Sequence, residues 1–273
     1  MIFDLHIHTT YSDGNENADS ISKRAKEGGL AGICITDHDT VDGMEEKIST
    51  INSYGLKTLK GIEFSAFDGD EQVHILGYNI DDNESFRKEL QRQAIGRVIR
   101  NNDTIEKLKS IFGIYLENDD FEEHKGELTR THIAKALVNK GHASSLKEAY
   151  DKYIGYTAPA YSSIDRVTPE ESIRLILENG GTPVLAHLGC IKKYDDDRKL
   201  VLVKKLVDAG LEGIESYYST HTEKDIKMCE DLAKKYNLIE TNGSDYHGMF
   251  RVERVGGLRR EMNEKSLLKL KLI

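Results

Sequence analysis

Short apolar runs recur along the chain, and most of them close on a histidine, an aspartate or a glutamate. Phe3-Asp4-Leu5-His6-Ile7-His8 comes first, and Ile33-Cys34-Ile35-Thr36-Asp37-His38 second. Gly61-Ile62-Glu63-Phe64-Ser65, Val73-His74-Ile75-Leu76-Gly77, Pro183-Val184-Leu185-Ala186-His187 and Gly243-Ser244-Asp245-Tyr246-His247 follow. The pattern predicts seven strands, over 2–8, 31–36, 57–64, 73–78, 182–186, 212–217 and 238–242. Helical periodicity predicts helices over 18–29, 42–54, 198–209 and 223–236. Thr168-Pro169-Glu170-Glu171 reads as a capping box opening a further helix, which stops at Gly180-Gly181.

Between about 84 and 161 the strand rhythm stops. Leu90, Ile95, Val98, Ile99, Ile105, Leu108 and Ile111 form an approximate helical stripe, and further helices are expected over 131–140 and 145–153. This block, 84–161, reads as an inserted helical cap. Residues 1–83 and 162–273 read as one α/β domain. Propensity alone does not separate a barrel from an open doubly wound sheet.

The polar strand ends carry the chemistry. Residues two apart on a strand share a face, so His6 and His8 are expected to leave side by side, with Leu5 and Ile7 turned to apolar packing. Asp13 lies five residues on. Imidazoles with carboxylates and no thiolate suit Mn, Fe or Zn rather than a structural zinc site. One strand-end histidine is usually structural. Recurrence at successive strand ends is different, because parallel α/β folds gather those ends at one face.

Composition narrows the reading. The 273 residues are 31% charged, with a mean hydropathy of −0.53, and no apolar run reaches membrane-span length. The first strand begins at once, so no secretory leader is expected. Cys34, Cys190 and Cys229 form neither a metal-type pair nor an even disulfide set, which fits a reducing cytoplasm. Cys34 is expected in the core. A net charge of −9 argues against capture of long duplex nucleic acid, while bound cations would still admit a small phosphorylated ligand.

His6-Ile7-His8, Asp13-Gly14, Thr36-Asp37-His38-Asp39, Glu63, His74, His187 and Asp245-Tyr246-His247 resemble, in order and spacing, the PHP (polymerase and histidinol phosphatase) superfamily of metallophosphoesterases. The resemblance implies a distorted seven-stranded (β/α) barrel holding two or three divalent ions. It implies one ion on His6, His8, Glu63 and Asp245, and a second on Asp13, His38 and His247. A third would lie on Glu63, His74 and His187, with Glu63 bridging. His187 is followed by Leu188 where many relatives have proline. Asp37 is either the acceptor orienting His38 or a turn cap.

Thr129-Arg130-Thr131-His132 resembles the Gly-Arg-Pro-His segment of one PHP subfamily, with Thr129 for glycine and Thr131 for proline. That subfamily includes nucleoside 3′,5′-bisphosphate phosphatases and 5′→3′ exoribonucleases. The segment 215–222 resembles the same subfamily and ends in a polar-histidine turn at His221. Without the resemblance, Arg130 and His132 read as a solvated helix face and His221 as a loop residue. With it, all three are expected to contact substrate phosphate. The implied activity is hydrolysis of a phosphate ester of a small nucleotide, or at the 5′ end of a short oligoribonucleotide, by a metal-bound hydroxide. No side-chain general base is assigned. The alternatives are a histidinol-phosphate phosphatase and a non-catalytic metal-binding module. His124 and His142 match no motif and read as surface residues.

Overall fold

The computed structural model describes residues 1–69, 71–121, 128–163, 167–248 and 254–273. They divide into two compact units, Met1–Arg87 with Val167–Ile273, and Lys88–Arg166. The chain leaves and re-enters the first unit a few residues later than the sequence pattern suggests.

The first unit carries strands β1 (Phe3–Ile7), β2 (Gly32–Ile35), β3 (Gly61–Asp68), β4 (Glu71–Tyr78), β5 (Thr182–Leu185), β6 (Gly213–Tyr218) and β7 (Ile239–Gly243). The helices in chain order are α1 (Ala18–Glu27), α2 (Met44–Ser53), α3 (Glu84–Phe112), α4 (Arg130–Asn139), α5 (Leu146–Ala149), α6 (Pro169–Glu178), α7 (Asp196–Asp208), α8 (Glu223–Tyr236) and α9 (Glu264–Lys269). α4 and α5 belong to the second unit, which α3 enters from the first.

All seven expected strands are present among the described residues, but in two sheets rather than one closed barrel. β1 and β2 pair in parallel, and β3-β4-β5-β6-β7 form the other sheet. β4 is antiparallel to both β3 and β5, whereas β5, β6 and β7 are parallel. Single bridges join the two sheets: Ile7 to Tyr246, Gly32 to Lys57 and His38 to Glu63. Only isolated bridges, not ladders, are formed at these junctions. β1 itself breaks register between Asp4 and Ile7. Leu5 therefore packs with Phe3, Cys34, Leu76 and Tyr78, whereas Ile7 packs with Ile21, Ile33, Ile35 and Ile51. The strict alternation expected for β1 places them together; the irregularity separates them.

Helix ends follow local chemistry. Thr168 Oγ1 accepts from the Glu171 N–H at 3.2 Å, and Glu171 Oε2 accepts from the Thr168 N–H at 2.8 Å. α6 then buries Ile173 and Ile176, each a gain of about 1.5–3 kcal/mol over leaving it exposed. α9 was not expected. Its charged surface hides the burial of Leu267, while Leu270 and Leu272 just beyond it join the same core as Phe3.

α3 differs from its expected stripe. It buries Phe86, Leu90, Gln93, Asn101, Thr104 and Leu108, whereas Ile95, Val98, Ile99 and Ile111 are exposed. Half of the buried row is polar, so hydropathy marks only part of that face: Leu90 and Leu108 of the expected stripe are buried, and Ile105 packs beside Leu108. In the second unit Leu108 packs with Ile133, Leu137, Tyr153 and Ile154. The helix expected over 145–153 is α5 followed by a π-helical turn, Tyr150–Ile154. Among the described residues, no helix is long and apolar enough to cross a membrane.

Candidate metal centre

All nine expected ligands lie in the first unit, and the strands bring them together. Glu63, on β3, stands in the middle. Its Oε1 lies 2.7 Å from His74 Nδ1 and 3.1 Å from His187 Nε2. Its Oε2 lies 3.0 Å from both His6 Nε2 and His8 Nε2, and 3.3 Å from His38 Nδ1. Asp245 Oδ1 is 3.1 Å from His8 Nε2 and 3.4 Å from His6 Nε2. Asp13 Oδ1 is 3.1 Å from His247 Nε2, 3.8 Å from His8 Nδ1 and 4.0 Å from His38 Nε2.

Three sets of donor atoms fall within 4.8 Å of one another: His6-His8-Glu63-Asp245, His8-Asp13-His38-His247 and His38-Glu63-His74. The first matches the expected grouping. In the other two the structure adds His8 beside Asp13 and His38 beside His74. His187 joins through Glu63 Oε1 and stacks edge-on to His74.

The donors fit a cation. His6 Nε2, His8 Nε2, Asp13 Oδ1, Glu63 Oε2 and His247 Nε2 are buried and make no hydrogen bond. Buried polar atoms are almost always satisfied, and leaving them otherwise is costly. These five face one another. Burial by itself would raise the Glu63 carboxyl, but His6, His74 and His38 outweigh it and hold the group well below its usual range. Burial pulls His8 down, yet Asp245 and Glu63 push it up to about 10. Burial takes His38 down to about 4. A cation bound among these atoms would compete with protons for them.

Neighbouring groups aim the donors. His247 Nδ1 donates to the Asp245 backbone oxygen at 2.8 Å, which leaves Nε2 for Asp13. Glu215, on β6, meets His6 Nδ1 at 3.0 Å, and Ser65 Oγ lies 3.2 Å from His38 Nδ1. The Tyr218 hydroxyl donates to Asp245 Oδ2 at 3.0 Å, so Oδ1 faces the cluster. Asp37 holds the loop after β1 rather than His38. It accepts from the Thr9 N–H at 2.7 Å, the Ser12 hydroxyl at 2.7 Å and the buried Lys47 ammonium at 2.8 Å. That loop carries Asp13. Gly14 lets it close, since a Cβ there would stand 2.5 Å from the His8 carbonyl oxygen.

Asp39, His187 and Asp245 have φ of 54°, 26° and 54°. Left-handed backbone at non-glycine residues stores strain and clusters at functional sites. Leu188, in the proline position, opens a 3₁₀ turn ending at Cys190. Sequence reasoning missed Glu215, Tyr218 and Lys47. For Glu215 and Lys47 the available signal was a charged residue within a strand, or in the middle of the buried face Met44-Lys47-Ile51; Tyr218 gave none.

The three expected substrate contacts are placed differently. His221 has both ring nitrogens committed to backbone: Nδ1 donates to the Ser216 oxygen at 3.1 Å, and Nε2 accepts from the Gly189 N–H at 3.1 Å. It braces the turn after His187, and neither nitrogen is left for a phosphate in this structure. His132 closes a capping box, with Nδ1 accepting from the Thr129 N–H at 3.0 Å. Arg130 is no solvated side chain. It lies over the rings of Tyr156 and Tyr161, at 4.7 and 5.4 Å, and donates to the Tyr156 hydroxyl at 3.1 Å. His142 is half-buried, and His124 lies outside the described residues.

A PHP domain model matches residues 4–165. The chain is 32% identical to a phosphoribosyl 1,2-cyclic phosphate 1,2-diphosphodiesterase of Eggerthella lenta, over 94% of this chain and 98% of that one. It is 30% identical to a 3′,5′-nucleoside bisphosphate phosphatase of Chromobacterium violaceum, over 89% and 86%. It is 31% identical to the 5′-3′ exoribonuclease Rnm of Salmonella typhimurium, over 90% and 85%. A solved Chromobacterium violaceum amidohydrolase with bound sulfate and no metal superposes with a TM-score of 0.86 at 26% identity, covering 100% of this chain and 96% of that one. With the domain match, the relatives and the clustered histidine and carboxylate donors in agreement, the chain belongs to the PHP family of metal-dependent phosphoesterases.

Proposed function

We propose that this chain is a metal-dependent phosphoester hydrolase. Its substrate is a phosphate ester of a small nucleotide, such as a 3′,5′-bisphosphate, or the 5′ end of a short oligoribonucleotide. One observation carries the reading: Glu63 turns its two oxygens toward different imidazoles, amid buried donor atoms that make no hydrogen bond. Two or three cations among Mn, Fe and Zn are the group those donors suit. His6, His8, Glu63 and Asp245 would hold one, Asp13, His38 and His247 a second, and Glu63, His74 and His187 a third. Such ions supply charge neutralisation and water activation near neutral pH. The protein's part is to fix the donors: Asp37 and Lys47 hold the Asp13 loop, and Tyr218 turns Asp245. The bridges from β1 to β7 and from β2 to β3 support reading the first unit as a broken barrel.

The second reading is a cyclic phosphodiesterase. The Eggerthella lenta relative, matched over nearly both full lengths, favours it. Product analysis by phosphorus NMR with added Mn, which reads ring opening and nucleotide release as well as free phosphate, separates the readings. The panel is a nucleoside 3′,5′-bisphosphate, a 5′-phosphorylated oligoribonucleotide, a ribose 1,2-cyclic phosphate and histidinol phosphate. Turnover confined to the cyclic ester selects the second reading. Turnover of histidinol phosphate alone overturns both.

Arg130 is the proposed phosphate contact of the second unit. Losing a charge-assisted contact costs about 1.5–3 kcal/mol, or roughly 10- to 150-fold in kcat/KM. Arg130→Ala should lose that much on a bisphosphate and little on p-nitrophenyl phosphate, with metal content unchanged. Equal loss on both substrates would return Arg130 to a structural role among its tyrosines.

A further inference from the structure

We infer that Glu215 is a positioning residue that sets the tautomer of His6 and ties it to the backbone of His187, coupling two ligands of different ions. The inference rests on the reading of His6 and His187 as metal ligands. Glu215 is fully buried in β6. One of its oxygens lies 3.0 Å from His6 Nδ1, and the other accepts from the His187 N–H at 2.9 Å. A carboxylate only accepts hydrogen bonds, so the proton shared with His6 sits on Nδ1. The lone pair of Nε2 is then free. That atom points at Glu63 Oε2, 3.0 Å away, and makes no hydrogen bond of its own.

The second oxygen acts on geometry. His187 has φ 26° and ψ 56°, a backbone conformation its side chain disfavours. A charged acceptor on its N–H helps hold it there, and its Nε2 stays 3.1 Å from Glu63 Oε1. The fold clears room for the pair. A Cβ on Gly243, in the adjacent strand β7, would stand 2.2 Å from both the Glu215 oxygen and His6 Cβ. Only glycine leaves space for the carboxylate and the imidazole to meet.

Glu215→Gln distinguishes tautomer control from simple packing. The amide keeps the volume and can still accept from His187 through its oxygen. Its NH₂ must then face His6 Nδ1, which moves the ring proton to Nε2 and blocks ligation. Metal affinity is measured by titrating the metal-free protein with Mn and with Co, alongside the melting temperature. Wild-type protein should take up metal. Glu215→Gln should keep the wild-type fold by circular dichroism and lose about 10- to 100-fold in affinity. Wild-type affinity in Glu215→Gln overturns the inference while leaving the metal reading intact. No metal uptake by the wild type overturns both. Should the variant fail to fold, ¹⁵N-histidine spectra of the zinc-loaded wild type decide the matter. His6, assigned by its loss in His6→Gln, should carry its proton on Nδ1, and a proton on Nε2 overturns the inference.

Discussion

Glu63 gives each of its carboxylate oxygens a separate set of imidazoles, whereas His74 has one nitrogen at the cluster. Glu63→Gln should therefore release more metal than His74→Ala, read as metal atoms per chain after gel filtration. Equal loss in the two variants would argue that Glu63 serves one ion. His221 makes a different kind of residue-scale prediction. Burial holds its imidazole below the ordinary value, and its Nε2 accepts from the Gly189 N–H only while unprotonated. Below about pH 6.5 the unfolded chain takes up this proton first, so it binds more protons than the folded chain. The stability His221 contributes is complete above that pH and is lost as pH falls toward the lower folded value. The melting-temperature gap between wild type and His221→Asn should shrink from pH 8 to pH 5.5. A gap that widened would contradict the bracing role.

At the scale of elements, caps and register decide what hydropathy leaves open. The α6 capping box stands apart from the ligands, so Thr168→Ala should cost about 0.5–2 kcal/mol of stability in urea unfolding. Metal content and turnover should not move. A change in metal binding would mean that α6 positions the site after all. β1 shows the opposite case. Its irregular register splits Leu5 from Ile7, yet His6 and His8 still converge within 3.0 Å of one carboxylate oxygen. The hydrogen bonds from His8 N–H to Tyr246 O and from Asp245 N–H to His6 O, at 2.8 and 2.9 Å, fix that convergence by docking β1 beside β7.

For the molecule as a whole, the first unit buries a cluster of donors that could hold a cation. Bound metal should therefore stabilise the chain by mass action, about 2.7 kcal/mol at a hundredfold excess over Kd. Chelation should lower the melting temperature of the wild type, and re-addition of Mn should restore it. A Glu63→Gln protein should respond far less to both. An unchanged melting temperature in the chelated wild type would count against folding energy stored at this centre.

The sequence alone determined the seven strands, the pairing of His6 with His8 and the donor types that cluster, because strand period and donor chemistry are local properties. The α6 cap was legible for the same reason: Thr168 and Glu171 lie within one turn. Other features depend on residues far apart in the chain. Glu215 and His6, or Lys47 and the Asp13 loop, meet only once strands and helices pack, and no spacing encodes their partnership. Burial of a polar row on α3 and the two-sheet arrangement likewise follow from packing rather than periodicity. His221 illustrates the difference most directly. Its sequence places a histidine in a turn after β6, a position from which it could reach a phosphate. The tertiary structure brings the Gly189 N–H to one ring nitrogen and the Ser216 carbonyl to the other, and so makes it a brace.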